Sequence, residues 1–101
     1  MVGDLRVKVL AGFAVARRTA ADELEILNVA VDPPFRRRGV ACRLIEQLLA
    51  NFHGNVYLEV RASNLGARKL YHSIGFEAVG VRNDYYDTPG ESAIVMKFHS
   101  C

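Results

Sequence analysis

The chain has 101 residues, half of them hydrophobic, with a formal net charge of +2, which suits one globular domain over residues 1–101 and leaves no room for a second. Its apolar runs stay far below the roughly 18 residues of a membrane span, and its start lacks the apolar core of a signal peptide. Arg36, Arg37 and Arg38 are local to one loop and there is no extended basic stripe with interleaved aromatics, unlike a nucleic-acid surface, so a cytoplasmic protein without membrane or nucleic-acid partners is expected. Cys42 and Cys101 cannot form a framework of bridges, and His53, His72 and His99 have no spacing suited to a metal.

Leu5, Val7 and Val9 alternate with Arg6 and Lys8, the pattern of a strand with one wet face. Leu10-Ala-Gly12 turns the chain into a second strand at 13–17, and Thr19-Ala-Ala-Asp22 into a third at 23–31, an antiparallel meander. In the third strand Leu24 and Ile26 set one phase, and Leu27, Val29 and Val31 set the other. A β-bulge at Leu27 or Asn28 would produce that slip and bend the strand outward, opening a wedge. A strand buried on both faces would show the same apolar run.

Pro33 and Pro34 end the strand near Asp32, and Val40, Ala41, Leu44, Ile45, Leu48, Leu49 and Phe52 then keep helical spacing, which predicts a helix over 36–52 closed by Gly54. A strand over 55–61 follows, with Val56, Leu58 and Val60 on one face and Tyr57, Glu59 and Arg61 on the other. Strand, crossover helix and strand imply a parallel pair with 23–31. Ser63 or Asn64 caps a second helix carrying Ala67, Leu70, Tyr71 and Ile74 and ended by Gly75. Strands over 76–82 and 93–98 make a hairpin whose connection contains Pro89-Gly90. The expected fold class is α/β (α+β): a mixed, mostly antiparallel sheet with a central parallel strand pair and two helices.

The stretch from Val29 to Ile45 organises the rest, and it reads as a pyrophosphate cradle. The first turn of a helix has unpaired N–H groups and the positive end of the dipole, so backbone amides over 37–42 can hold an anion, and Gly39 permits close approach. Arg36, Arg37 and Arg38 alone would read as a solvated helix start; with Gly39 and the preceding strand, the phosphate reading is the stronger one.

These residues resemble a known family. Arg36-x-x-Gly39-x-Ala41 is similar to the acyl-CoA signature of the GNAT superfamily of N-acetyltransferases, and Asn28-Val-Ala-Val-Asp-Pro to that family's fourth strand. Leu58-Glu-Val-Arg-Ala-Ser-Asn64, Ala67-Arg-Lys-Leu-Tyr71-x-x-x-Gly75-Phe76 and Arg82-Asn-Asp-Tyr-Tyr86 follow in the order and spacing of its ribosomal-protein alanine N-acetyltransferase branch. Asp84, between Asn83 and the tyrosines, departs from that pattern. The resemblance covers nearly the whole chain. It implies a GNAT fold, acetyl-CoA as cosubstrate without a metal, and acetyl transfer to a protein or peptide N-terminus or a small amine. Family members begin with a strand and two helices that form one wall of the acceptor cleft, and these are missing before Leu5. A truncated or compact member, or a wall supplied by another subunit, would explain this, and the uncovered sheet predicts a homo-oligomer. The competing reading is a non-catalytic CoA-binding or interaction module that needs a partner to complete the acceptor site.

Acetyl transfer needs the phosphates held, the carbonyl polarised, the ammonium deprotonated and the thiolate protonated. Main-chain groups of Val29, Ala30 and Val31 would hold the cofactor arm as an added strand, and amides of Val40, Ala41 and Cys42 would share the pyrophosphate with those of the arginines. Exposed amides near the bulge could polarise the carbonyl. Glu59, which matches the branch's catalytic glutamate, borders the wedge as candidate base; a partly dry cleft raises a carboxylate pKa, although a surface pair with Arg61 or Lys69 explains it equally well. Glu25 is the second candidate. Tyr71 is a plausible proton donor and also a core aromatic, two roles that are compatible because a buried hydroxyl needs a partner. By resemblance Asn64 bonds the cofactor arm, though helix capping alone accounts for it. Arg82, Asn83, Tyr85 and Tyr86 resemble the segment contacting the acceptor backbone, in what reads here as a polar hairpin loop.

Overall fold

Most of the chain is extended. In a computed structural model that describes residues 4–9, 11–36, 38–50, 52–87 and 90–100, with the backbone alone at 4–9, 84–87, 90 and 100, six strands form one sheet. They are β1 (Asp4–Val9), β2 (Gly12–Ala20), β3 (Glu23–Val31), β4 (Gly54–Arg61), β5 (Glu77–Asp87) and β6 (Gly90–Ser100), in the order β1-β2-β3-β4-β6-β5. Every neighbour pair is antiparallel except β3 and β4, whose connection carries helix α1 (Val40–Leu49). Helix α2 (Leu65–Ile74) links β4 to β5. This is the mixed sheet with one parallel pair expected from the alternation and the crossover.

The phase slip in β3 is a bulge. Val15 stands opposite Asn28 and Ala16 opposite Ile26, so Leu27 is the extra residue; it is 44% exposed while Leu24 and Ile26 stay buried. That decides against a strand buried on both faces. Beside β4, β3 pairs at only three positions, Glu23 with Asn55, Leu24 with Val56 and Glu25 with Tyr57, and then the two strands part. At the closed end, a Cβ on Gly54 would collide with the Asp22 carbonyl oxygen, which accepts the Asn55 N–H at 2.9 Å. With φ at +141°, only glycine lets the strands converge there.

One face of the sheet makes the core. Ala16, Ile26, Val56 and Leu58 pack beneath Leu44, Ile45, Leu48 and Leu49 of α1, each buried aliphatic side chain contributing about 1.5–3 kcal/mol relative to exposure. Helix α2 is held more loosely: none of its residues is fully buried, and Ala67, Tyr71 and Ile74 only border the core. Phe76 anchors that end, with Tyr71 edge-on at 6.0 Å and Phe98 at 5.4 Å between ring centroids. The opposite face carries Arg17, Glu25, Tyr57, Glu59 and Lys97, and the charges alternate with its apolar groups.

Several boundaries differ from expectation: helix α1 ends at Leu49 with Ala50 as its C-cap, not at Phe52, and Gly54, expected to close it, instead opens β4. Helix α1 begins at Val40 and not at Arg36, because Gly39 has φ +75°, a left-handed turn that a helix cannot continue; Pro33–Phe35 form a separate 3-10 turn. The second strand runs on to Ala20. Strands β5 and β6 extend to Asp87 and from Gly90, which keeps Arg82 on its expected strand and puts Asn83, Tyr85 and Tyr86 on it too instead of in a loop. Arg37 and Pro89 lie outside the described residues.

Candidate active site

The head of α1 presents uncapped backbone donors. No side chain caps it, its first turn holds no acidic residue, and its first backbone bond runs from the Arg43 N–H to the Gly39 carbonyl at 3.1 Å. The amides of Val40, Ala41 and Cys42 therefore have no partner within the helix. A Cβ on Gly39 would meet nothing within 4 Å, so open space lies over the turn. Two arginines brace this loop: Arg36 donates from Nε to the Val31 carbonyl at 3.1 Å, and Arg43 from Nη2 to the Arg38 carbonyl at 3.2 Å.

A cavity of about 590 Å³ opens from this turn, between β3 and α2, with Val31, Arg36, Gly39, Ala41 and Cys42 among its lining. A second, of about 280 Å³, lies in the wedge between the bulge of β3 and the far half of β4, lined by Leu27, Asn28, Glu59 and Arg61. Val29, Asn64, Ala67 and Tyr71 line both. Tyr71 thus stands where the cavity over the uncapped helix head meets a cleft containing a carboxylate. Burial pushes its phenol above the ordinary value of 10.0, so the hydroxyl keeps its proton through the neutral range.

Glu59 sits on β4 with its side chain 20% exposed. Its Oε1 accepts from Arg82 Nη1 at 2.6 Å, while Oε2 is buried with no hydrogen-bond partner among the described residues. The alternative surface partners Arg61 and Lys69 are not what it meets in this bond. Glu25 lines a depression of about 370 Å³ on the helix-free face, beside Tyr57 and Glu59 but without Tyr71. The geometry therefore brings Glu59, and not Glu25, into a cavity with Tyr71.

Other expected residues are dispersed. Val29 and Val31 line the large cavity, whereas Ala30, between them on an alternating strand, has the opposite phase. Arg38 lines a separate cavity of about 550 Å³ with Ala11, Phe35 and Arg43. Asn64 caps α2, its Oδ1 accepting from the Ala67 N–H at 3.1 Å, and borders both site cavities as well. Asn83 Oδ1 accepts from Ser92 Oγ at 3.4 Å, and Tyr85 and Tyr86 are described by their backbone on β5.

One contributor went unrecognised in the sequence. Glu91 Oε1 accepts from the Ser63 N–H at 2.6 Å and Oε2 from Arg61 Nη1 at 3.3 Å, while the Ala62 N–H donates to the Ser92 carbonyl at 3.0 Å. The hydrogen bonds from Ser63, and then Arg61, hold the Glu91 carboxyl below its usual range. This clasp ties the β5–β6 hairpin to the head of α2. Only the strand register, which sets Ala93 opposite Arg61, would have brought Glu91 near it. Among the described residues, no group of His, Cys, Asp and Glu could hold a metal, and no helix is long and apolar enough to cross a membrane.

Comparison with known proteins bears on the family and the fold. The sequence pattern of the acetyltransferase (GNAT) family matches residues 3–76. Over 88 residues the chain is 42% identical to the N-alpha-acetyltransferase RimI of Mycobacterium tuberculosis, a match covering 86% of this chain and 56% of that protein. The crystal structure of the ribosomal-protein-S18-alanine N-acetyltransferase from Escherichia coli aligns with a TM-score of 0.81 and 35% identity, over 96% of this chain and 69% of that one. Arabidopsis thaliana NAA60 in complex with acetyl-CoA shares the fold, with a TM-score of 0.81 at 23% identity over 89% and 66% of the two chains. The chain thus spans little more than half the length of the curated relative it matches.

Proposed function

The chain belongs to the acetyltransferase (GNAT) family, whose members use acetyl-CoA, and we propose that it transfers acetyl from acetyl-CoA to an amine, foremost the N-terminal amino group of a protein or peptide, by direct attack in a ternary complex. The observation that carries this reading is the shared wall of the two cavities: Tyr71 and Asn64 border both the space over Gly39 and the cleft holding Glu59.

The residues suit such a cosubstrate. The uncapped head of α1, with no acid in its first turn, suits a diphosphate, and β3 beyond Glu25 has no ladder to β4, so its edge can take an extended arm as an added strand. Acetyl-CoA supplies an acyl group activated as a thioester. Glu59 takes a proton from the acceptor ammonium, which frees the amine to form the new C–N bond. Tyr71 gives its proton to the departing sulfur as the C–S bond breaks; the attacking nitrogen sheds its second proton as the amide forms, which restores the phenol through solvent, and the proton held by Glu59 is released to water. Backbone amides beside the Leu27 bulge polarise the carbonyl. Asn83, Tyr85 and Tyr86 border the acceptor. A cytoplasmic location and self-association complete the reading, the latter tested by sedimentation at micromolar concentration.

The decisive experiment pairs calorimetric titration of acetyl-CoA with steady-state acetylation of peptides and small amines. Glu59→Gln should lower kcat by roughly 100-fold or more and Tyr71→Phe by roughly tenfold or more, with acetyl-CoA affinity retained. Because burial raises the Tyr71 phenol, an alkaline limb caused by it should lie above pH 10.0 and vanish in Tyr71→Phe. Unchanged rates in both variants would remove the two residues from the mechanism. Binding without transfer to any acceptor would favour the CoA-binding module.

A further inference from the structure

The two oxygens of Glu59 are in different circumstances. Oε1 accepts a charge-assisted hydrogen bond of 2.6 Å from Arg82, and Oε2 is buried and unpartnered among the described residues. We propose that Arg82 is a positioning residue for Glu59: its guanidinium holds Oε1 and fixes the carboxylate beside the cleft, leaving Oε2 as the unbonded oxygen that takes the acceptor's proton. This rests on the reading of Glu59 as the base.

The fold makes the contact deliberately long-range. Glu59 is on β4 and Arg82 on β5, with β6 between them. Ala93 of β6 stands opposite both Arg61 and Arg82, and its small, fully buried side chain leaves room for the guanidinium to pass over the strand. Gly80, level with Val95 and hence with Glu59, adds no side chain to that path. Just beyond Arg82 the register with β6 is interrupted until Tyr86, and the Glu91 clasp to Ser63 fastens the hairpin on the far side of that irregularity. The arginine is therefore delivered from a strand secured at its outer end.

The energetics assign the two oxygens different work. A glutamate side chain free to rotate forfeits rotamer entropy when a ligand orders it; the ion pair makes that ordering part of the folded state. An acceptor oxygen buried without a donor is unfavourable, and an arriving N–H group relieves it. The acceptor ammonium is such a donor, and it also carries the charge a carboxylate pairs with. Arg82 in this role does not contact the acceptor; it acts through Glu59.

A double-mutant cycle separates this from the acceptor-contact role suggested by resemblance. Arg82→Met should lower kcat for peptide acetylation roughly tenfold with acetyl-CoA affinity unchanged, and should lower it no further in a Glu59→Gln background. Arg82→Lys should restore part of the loss, since an ammonium can donate to Oε1. Thermal unfolding of the same four proteins without ligand should be non-additive in the same sense. An equal loss from Arg82→Met in both backgrounds, a raised acceptor KM with kcat intact, or additive shifts in Tm would overturn the proposal and leave Glu59 as base. Full activity of Glu59→Gln would instead remove the base reading, and the proposal with it.

Discussion

The two helices have the same length, ten residues each, and they are used in opposite ways. Helix α1 buries Leu44, Ile45, Leu48 and Leu49 and leaves its amino end uncapped, whereas α2 buries nothing fully and has its amino end satisfied by Asn64. The helix that anchors the core keeps open the donors an anionic ligand would occupy. The helix that closes its own donors offers its flank, through Ala67, Leu70 and Tyr71, as a cavity wall. Core anchoring thus falls to α1 alone, while the cavity is walled by both the open head of α1 and the flank of α2, so the flank of α2 can be altered without touching the core.

The sharpest way to break that division is in the core. Ile45→Ala, at a fully buried site, should lower stability by about 2–5 kcal/mol in denaturant unfolding, whereas Leu70→Ala on α2 should be nearly neutral there and should weaken acetyl-CoA binding. Comparable destabilisation by the two would erase the contrast. Gly39→Glu comes next: a negative charge at the head of α1 should reduce acetyl-CoA affinity roughly 100-fold or more by calorimetry. Because a Cβ there meets nothing within 4 Å, its effect on stability should be limited to the strain of φ +75°, about 1–3 kcal/mol. Affinity retained in that variant would refute the cradle. The smallest effect sharpens the dual role of Asn64. Asn64→Ala should lose about 1 kcal/mol with the cap, and Asn64→Asp should keep the cap and weaken acetyl-CoA binding alone.

What could be read from the sequence was what local periodicity encodes. The slip between Ile26 and Leu27 marked the bulge, the bounds of β3 followed from its turns, and Asn64 and Gly75 bracketed α2. The start of α1 was hidden because Arg36, Arg37 and Arg38 carry no apolar phase, and nothing but backbone geometry distinguishes a left-handed Gly39 from a helical one. The polar run from Asn83 to Asp87 looked like a loop because its place on β5 comes from the hairpin with β6 and not from its own alternation. The bond between Arg82 and Glu59 and the clasp at Glu91 depend on the register of strands far apart in the chain, which no window of neighbouring residues contains.

The glycine at the closed end of the wedge gives the sheet a mechanical property. Gly54 works as the pin of a pair of shears: β3 and β4 are the blades, pressed together against the Asp22 carbonyl and spread at Leu27 and Glu59. Leverage then runs from pin to tips, so a side chain forced in at position 54 would be felt as a change of gape several residues away, where no site residue had been altered. The width of what the cleft admits is decided, in part, at a position that touches none of it.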